Sequence, residues 1–263
     1  MKYLKLYENF IQTDSEIHEL CKKYGIENYT INNGLVDVDG DVDLSSKKLT
    51  KLPIKFGNVS GHFNCVNNQL TTLEGAPESV GGDFNCAYNQ LTSLKGGPQK
   101  VGDNFYCSSN QLTTLEGAPK SVGGIFNCKY NKITSLEGCP ESVGGGFYCP
   151  DNQLTSLDGL QETICLYLDC SINNIYKLDF VPNYKGELSI YRNPFYKVWK
   201  LIENAIGKDS SLFDIFIEDA IIRDPGYQGD TTGLPIIILD RLNDFLDLCK
   251  LPNVEEVEGY TCI

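Results

Sequence analysis

An α/β solenoid of about eight coils is the fold class this sequence predicts, and three observations predict it. Cysteine recurs every 21 residues, at Cys65, Cys86, Cys107, Cys128, Cys149 and Cys170. Its neighbours recur with it. Phe63, Phe84, Phe105, Phe126, Phe147 and Leu168 stand two residues before, and Asn68, Asn89, Asn110, Asn131, Asn152 and Asn173 three residues after. A pair of leucine-type positions then closes each unit, from Leu70 and Leu73 to Ile175 and Leu178. A period between roughly 20 and 50 residues is the signature of a stacked repeat, because one unit cannot bury its apolar face alone.

Each unit opens with a strand. Phe84 and Cys86 are two apart, so they share one face, while Asn85 and Ala87 point the other way. Stacked coils turn these positions into inward columns of Phe, Cys and Leu. The Asn column needs its own reason. An amide carries donors and an acceptor, so at a turn it satisfies buried backbone of its own coil and of the next. Glu74-Gly75-Ala76-Pro77 and its equivalents at Lys95, Glu116 and Glu137 are turns. Val80, Val101, Val122, Val143 and Ile164 are expected to close the core from the other side. Gly81-Gly82 and its equivalents then lead into the next strand, too regular in recurrence to be phosphate loops. The coils thus have a parallel concave sheet and an irregular Gly/Pro-rich convex side.

The array runs past the cysteines. Val42 to Leu49 matches in register, with Leu44 in the Cys place and Lys47 in the Asn place, and Leu188 to Phe195 matches after one deletion. The solenoid is therefore assigned to residues 36–200, with an N-terminal helical cap at 1–35 and a mostly helical C-terminal cap at 201–263. In the first cap, Thr13-Asp14-Ser15-Glu16 reads as a capping box. Ile17, Leu20, Cys21 and Tyr24 form one apolar face, and Gly25 stops the helix. Beyond the coils, Val198, Trp199, Ile202 and Ile206 make a second stripe, Phe213, Phe216 and Ala220 a third, and Leu239, Leu242, Leu246 and Cys249 a fourth. Covering exposed core at solenoid ends is the expected role of both segments.

The unit F-x-C-x-x-N-x-L-x-x-L resembles the core of the leucine-rich repeat, with Phe and Cys in the strand leucine places. The opening Met1 to Phe10, the Asn-Gln-Leu-Thr-Ser-Leu repeats and the tail Ile236 to Leu246 further resemble uncharacterised leucine-rich repeat proteins of tailed-phage genomes. That second resemblance implies an origin and assigns no activity.

Eleven cysteines raise the question of a disulfide scaffold. The start lacks an apolar run of signal-peptide length, and the column places are core places where Cys acts as a small hydrophobe. A cytoplasmic protein with reduced thiols is expected. The net charge of −13, from 35 acids and 22 bases, argues against nucleic acid and favours a basic partner. No stretch is long enough to span a membrane, and a monomer without cofactors is expected.

The strand positions that point outward form the candidate partner-binding face. It comprises Asn64, Asn85, Tyr106, Asn127, Tyr148 and Asp169 in one column, with Lys129, Tyr88, Tyr130 and Asp151 beside it. Tyrosine gives large contact area with few rotors, and Asn adds adaptable hydrogen bonds. A protein partner is the expectation, without catalysis. Zinc motifs pair cysteines at C-x₂₋₄-C spacing with a turn between them, and none occurs, since Cys165 and Cys170 flank a repeat strand. Asp37 to Asp43 departs from the calcium loop, with glycine at the fourth place and Lys48 where a glutamate belongs. Only His18 and His62 are available for a relay. Cys249 and Cys262 lack the larger catalytic domain of the repeat-bearing ubiquitin ligases, and Cys262 is misplaced for prenylation. The alternatives are a structural or assembly role in a virion, and an enzyme or ligand binder built on the polar loop from Asp224 to Thr232.

Overall fold

The structure is a computed structural model that describes residues 12–160, 167–175 and 187–193, together with three short strands farther on. It is a stack of coils built on two ladders of mostly parallel strands. The Phe strands, from Val42–Asp43 through Phe63–Asn64 and Phe84–Asn85 to Glu187–Ser189, form an eight-stranded sheet in sequence order. Every pairing within it is parallel, with Phe63 opposite Phe84, Phe84 opposite Phe105 and Phe126 opposite Phe147.

The other side of the coil is more regular than its Gly/Pro content suggests. Ser79–Val80, Lys100–Val101, Ser121–Val122 and Ser142–Val143 are two-residue strands that pair in parallel. With Phe56–Val59 and the hairpin Tyr29–Asn32 and Leu35–Val38 they make a seven-stranded sheet. Only the inward valine of each pair is fixed by the core, which is why so short a strand escapes a period-2 reading. Val80, Val101, Val122 and Val143 are all buried, as expected; Ile164 lies outside the described residues.

The core consists of columns. Phe63, Phe84, Phe105, Phe126 and Phe147 are wholly buried and stack, with ring centroids 5.4, 5.3, 5.3 and 5.1 Å apart. The six column cysteines are buried beside them as free thiols. Burial pushes the Cys65 thiol up to about 12, and Cys86, Cys107, Cys128 and Cys149 well above the ordinary thiol value, with repulsion between neighbouring sulfurs adding to it.

The Asn column holds the turns. Asn110 Nδ2 donates to the carbonyls of Cys107 and Ser108 in its own coil and of Cys86 in the coil before, while its Oδ1 accepts from Leu91 N–H at 3.0 Å. Asn89, Asn131, Asn152 and Asn173 repeat this arrangement. The second coil engaged is therefore the preceding one, not the following one that the sequence suggested. That direction explains Lys47 in the Asn place of the first coil, where no earlier Phe strand stands to be bonded.

A second side-chain ladder runs along the corner between the two sheets. Asp41 Oδ1 accepts from His62 N–H, His62 Nδ1 from Asp83 N–H, Asp83 Oδ1 from Asn104 N–H, and Asn104 Oδ1 from Ile125 N–H, at 2.8–2.9 Å. Glycine makes room for it: a Cβ at Gly82 would press on the His62 ring. The acidic run before the first Phe strand serves the same end, and hydrogen bonds from Asn32 and Asn58 hold the Asp37 carboxyl below the usual range.

At the N-terminal end, helix α1 spans Asp14–Tyr24. Thr13 and Glu16 form the expected capping box, and Gly25 closes the helix at φ 69°. Ile17 and Cys21 enter the core, with Leu20 and Tyr24 partly buried against it. The hairpin that follows turns on Asn33-Gly34, both at positive φ, a two-residue turn signal present in the sequence. Toward the other end, Ile221–Ile222, Ile236–Ile237 and Thr261–Cys262 form a small separate sheet, which the expectation of a mostly helical cap did not contain. The three helical stripes expected there fall outside the described residues.

Candidate functional site

The outward face of the eight-stranded sheet carries the ten residues singled out from sequence, in three columns. Asn64, Asn85, Tyr106, Asn127, Tyr148 and Asp169 form one half-buried column, registered strand to strand. In this column the amides and the carboxylate already have work. Asn64, Asn85, Asn127 and Asp169 each use Oδ1 to accept the backbone N–H two residues on, from Val66, Ala87, Lys129 and Ser171. This is the short-range turn bond that Asn and Asp favour, and it supplies a structural reason for four of the ten residues. The tyrosines break the rule. At Tyr148 no such bond is available, because the residue two on is Pro150, which has no N–H. At Tyr106 the turn bond is given up to place an aromatic ring.

The column with Asn67, Tyr88, Ser109, Tyr130, Asp151 and Ile172 shares a different constraint. All six have φ between 53° and 57°. Left-handed backbone suits Gly, Asn and Asp and is unfavourable for bulky or β-branched side chains. Yet Tyr88 is 60% exposed, Tyr130 53% and Ile172 36%. A large side chain that is costly to the backbone and contributes nothing to the core needs an external reason. No local sequence signal marks these as left-handed positions; only the register of the repeat groups them. Between the two columns runs a third, in which Ala87, expected to point outward, is buried, as are Ser108 and Ser171, while Val66, Lys129 and Pro150 are partly open.

Seven of the ten residues come together around one depression of about 370 Å³. Tyr106 and Tyr148 stand on its two sides with the shorter Asn127 between them, and Lys129, Tyr130, Asp151 and Asp169 complete it. Asn64, Asn85 and Tyr88 lie on the same face, nearer the N-terminal end. Tyr148 is braced by the Tyr167 ring, 5.4 Å between centroids. Lys129 Nζ lies 5.6 Å from the centre of the Tyr130 ring. Burial, and then the charge of Asp83, push the Tyr106 phenol above its ordinary value, so it stays a donor. A second hollow of about 390 Å³ lies on the seven-stranded sheet near Asp37 and Asp39. Those carboxylates are already engaged by Asn32, Asn58 and Ser60, which leaves less for a ligand.

The 21-residue coil, the stacked parallel sheet and the Asn column make this a leucine-rich-repeat-like solenoid. No family model matches the chain, and no curated protein matches it. Among solved structures it is similar to YopM from Yersinia enterocolitica WA-314, at 19% identity and a TM-score of 0.37. That similarity covers 60% of this chain and 40% of YopM. Among the described residues, no helix is long and apolar enough to cross a membrane, and no group of three or more His, Cys, Asp or Glu is placed to hold a metal ion.

Proposed function

We propose that the protein is a non-catalytic recognition scaffold that binds another protein through the outward face of its eight-stranded sheet. The observation that carries this reading is the exposure of Tyr88, Tyr130 and Ile172 at left-handed positions, where the backbone itself favours small or amide side chains. Rigid tyrosines on a stacked frame provide contact area at low entropic cost, and repeat solenoids offer extended surfaces of this kind. The phage resemblance adds a finer proposal, a phage-encoded protein acting in the host cytoplasm on a host or viral protein.

The test is affinity capture with the wild-type chain and with Tyr106→Ala/Tyr130→Ala/Tyr148→Ala. The three rings stand on the outward face, so the variant keeps the core and folds. A protein recovered by the wild type and lost by the variant is the expected outcome. Equal recovery by both would remove this face from the function. A role as a virion component predicts instead stoichiometric copies in purified particles, which mass spectrometry reads directly.

A further inference from the structure

Resting on the protein-binding reading of this face, we infer that the depression between Tyr106 and Tyr148 receives an arginine side chain of the partner.

The shape comes from the order of residues along the column. Tyr106, Asn127 and Tyr148 occupy three successive strands in register. Their backbones are therefore two strand spacings apart, about 10 Å, with Asn127 on the strand between them and Ile125 just before it. The Tyr148 ring leans back over Gly146 against Tyr167, and both tyrosines border the depression, so a cation seated in it can come within the roughly 6 Å reach of a cation–π contact. A neutral aliphatic side chain fills such a slot without using the ring faces.

The charge agrees. Asp151 and Asp169 border the depression against one base, Lys129. The chain as a whole carries −13, so the long-range field also draws a cationic partner. The face already treats its own cations this way: Lys129 sits over Tyr130, and Arg192 lies 5.4 Å from the centre of the Tyr191 ring. Arginine fits better than lysine because its planar guanidinium stacks on rings while its N–H groups reach a carboxylate. Lys129 opposes the guest and sets how tightly it binds.

Two features make the site testable without unfolding it. Asp151 has φ 56°, a conformation that Asn adopts as readily as Asp. Asp169 Oδ1 accepts from the Ser171 N–H and hydroxyl, and an Asn there keeps that acceptor. Asp151→Asn/Asp169→Asn therefore removes charge and preserves the turn.

The probe is a fluorescent peptide of alternating glycine and arginine with four arginines, compared with the same peptide carrying citrulline, which is neutral and of the same shape. Binding is read by anisotropy at low salt. The citrulline peptide is expected to bind at least about tenfold more weakly, the scale of a partly desolvated cation–π contact joined to a carboxylate. The double Asn variant should lose about tenfold for the arginine peptide, and Lys129→Ala should gain several-fold. Equal binding of the two peptides, no binding of either, or weaker binding by Lys129→Ala would overturn the assignment. So would tighter binding of an oligothymidine of similar length. A captured protein that is lost by the triple tyrosine variant but kept by the double Asn variant would leave the protein-binding reading standing and remove arginine from it. Retention by the triple variant would remove the reading itself.

Discussion

Raising the pH perturbs the thiol column more directly than any single substitution. Cys65, Cys86, Cys107, Cys128, Cys149 and Cys170 are wholly buried, and burial raises every one of their pKa values. In the unfolded chain each thiol returns to about 8.5. The folded state then keeps protons that the unfolded state releases. Stability is whole below about pH 8.5 and is lost as pH rises toward the folded values. Each thiol contributes a slope of up to ~1.4 kcal/mol per pH unit, so the six together approach ~8 kcal/mol per unit. By pH 10 the accumulated loss is ~12 kcal/mol, comparable with the ~5–15 kcal/mol that holds a typical domain together. The protein should therefore unfold cooperatively near pH 10. Urea midpoints followed by far-UV circular dichroism from pH 7 to 10.5, in reductant, measure the slope. Cys107→Ala/Cys128→Ala should be less stable at pH 7 yet show a slope smaller by about a third. A midpoint that stays flat from pH 7 to 10, or a slope unaffected by the double substitution, would refute the burial of these thiols.

Asn110→Ala strands the Leu91 N–H, while the Cys86 and Cys107 carbonyls keep Asn89 and Asn131 as donors, and should cost about 1–3 kcal/mol in chemical denaturation. Asn127→Ala loses one bond from Lys129 N–H, and about 0.5–1 kcal/mol is expected; an equal loss from both would mean the strand faces are reversed. Gly102→Ala sets a Cβ on the Gly81 carbonyl oxygen, a backbone contact that cannot rotate away, so a loss of about 2 kcal/mol or more is expected from the same measurement. Ile172→Asn should do the opposite and raise stability by about 1 kcal/mol, because it relieves a β-branched residue at φ 53°; a fall in stability would show that Ile172 packs on the fold.

Much of this architecture was legible because stacking copies one coil's chemistry into the next. Phe84, Cys86, Asn89, Leu91 and Leu94 each recur in identity, and identity is what a sequence displays. The features that escaped are those in which a role recurs and the residue does not. Asp41, His62, Asp83 and Asn104 do the same work along the corner, yet nothing in their types announces it. The Ser79–Val80 strand is too short for alternation to register. The face was legible as exposed tyrosines and amides. The division of labour within it was not, because Asn127 and Asn110 look alike and only backbone position decides which holds a turn and which holds the stack.

Both side-chain ladders obey one displacement rule. Corner acceptors serve the coil after them, Asn residues serve the coil before, and each partner stands a fixed distance along the chain. Excising residues 84–104 would bring Asp83 against the N–H of Ile125 and Asn110 against that of Leu70, groups of the same kind as those removed. Stack length is thus a free variable, open to change by whole units while every junction stays chemically the same. What would change is the distance from α1 to the tyrosine slot, by one strand spacing, about 5 Å, per unit. A lineage that gains or loses a coil keeps its fold and resets its reach.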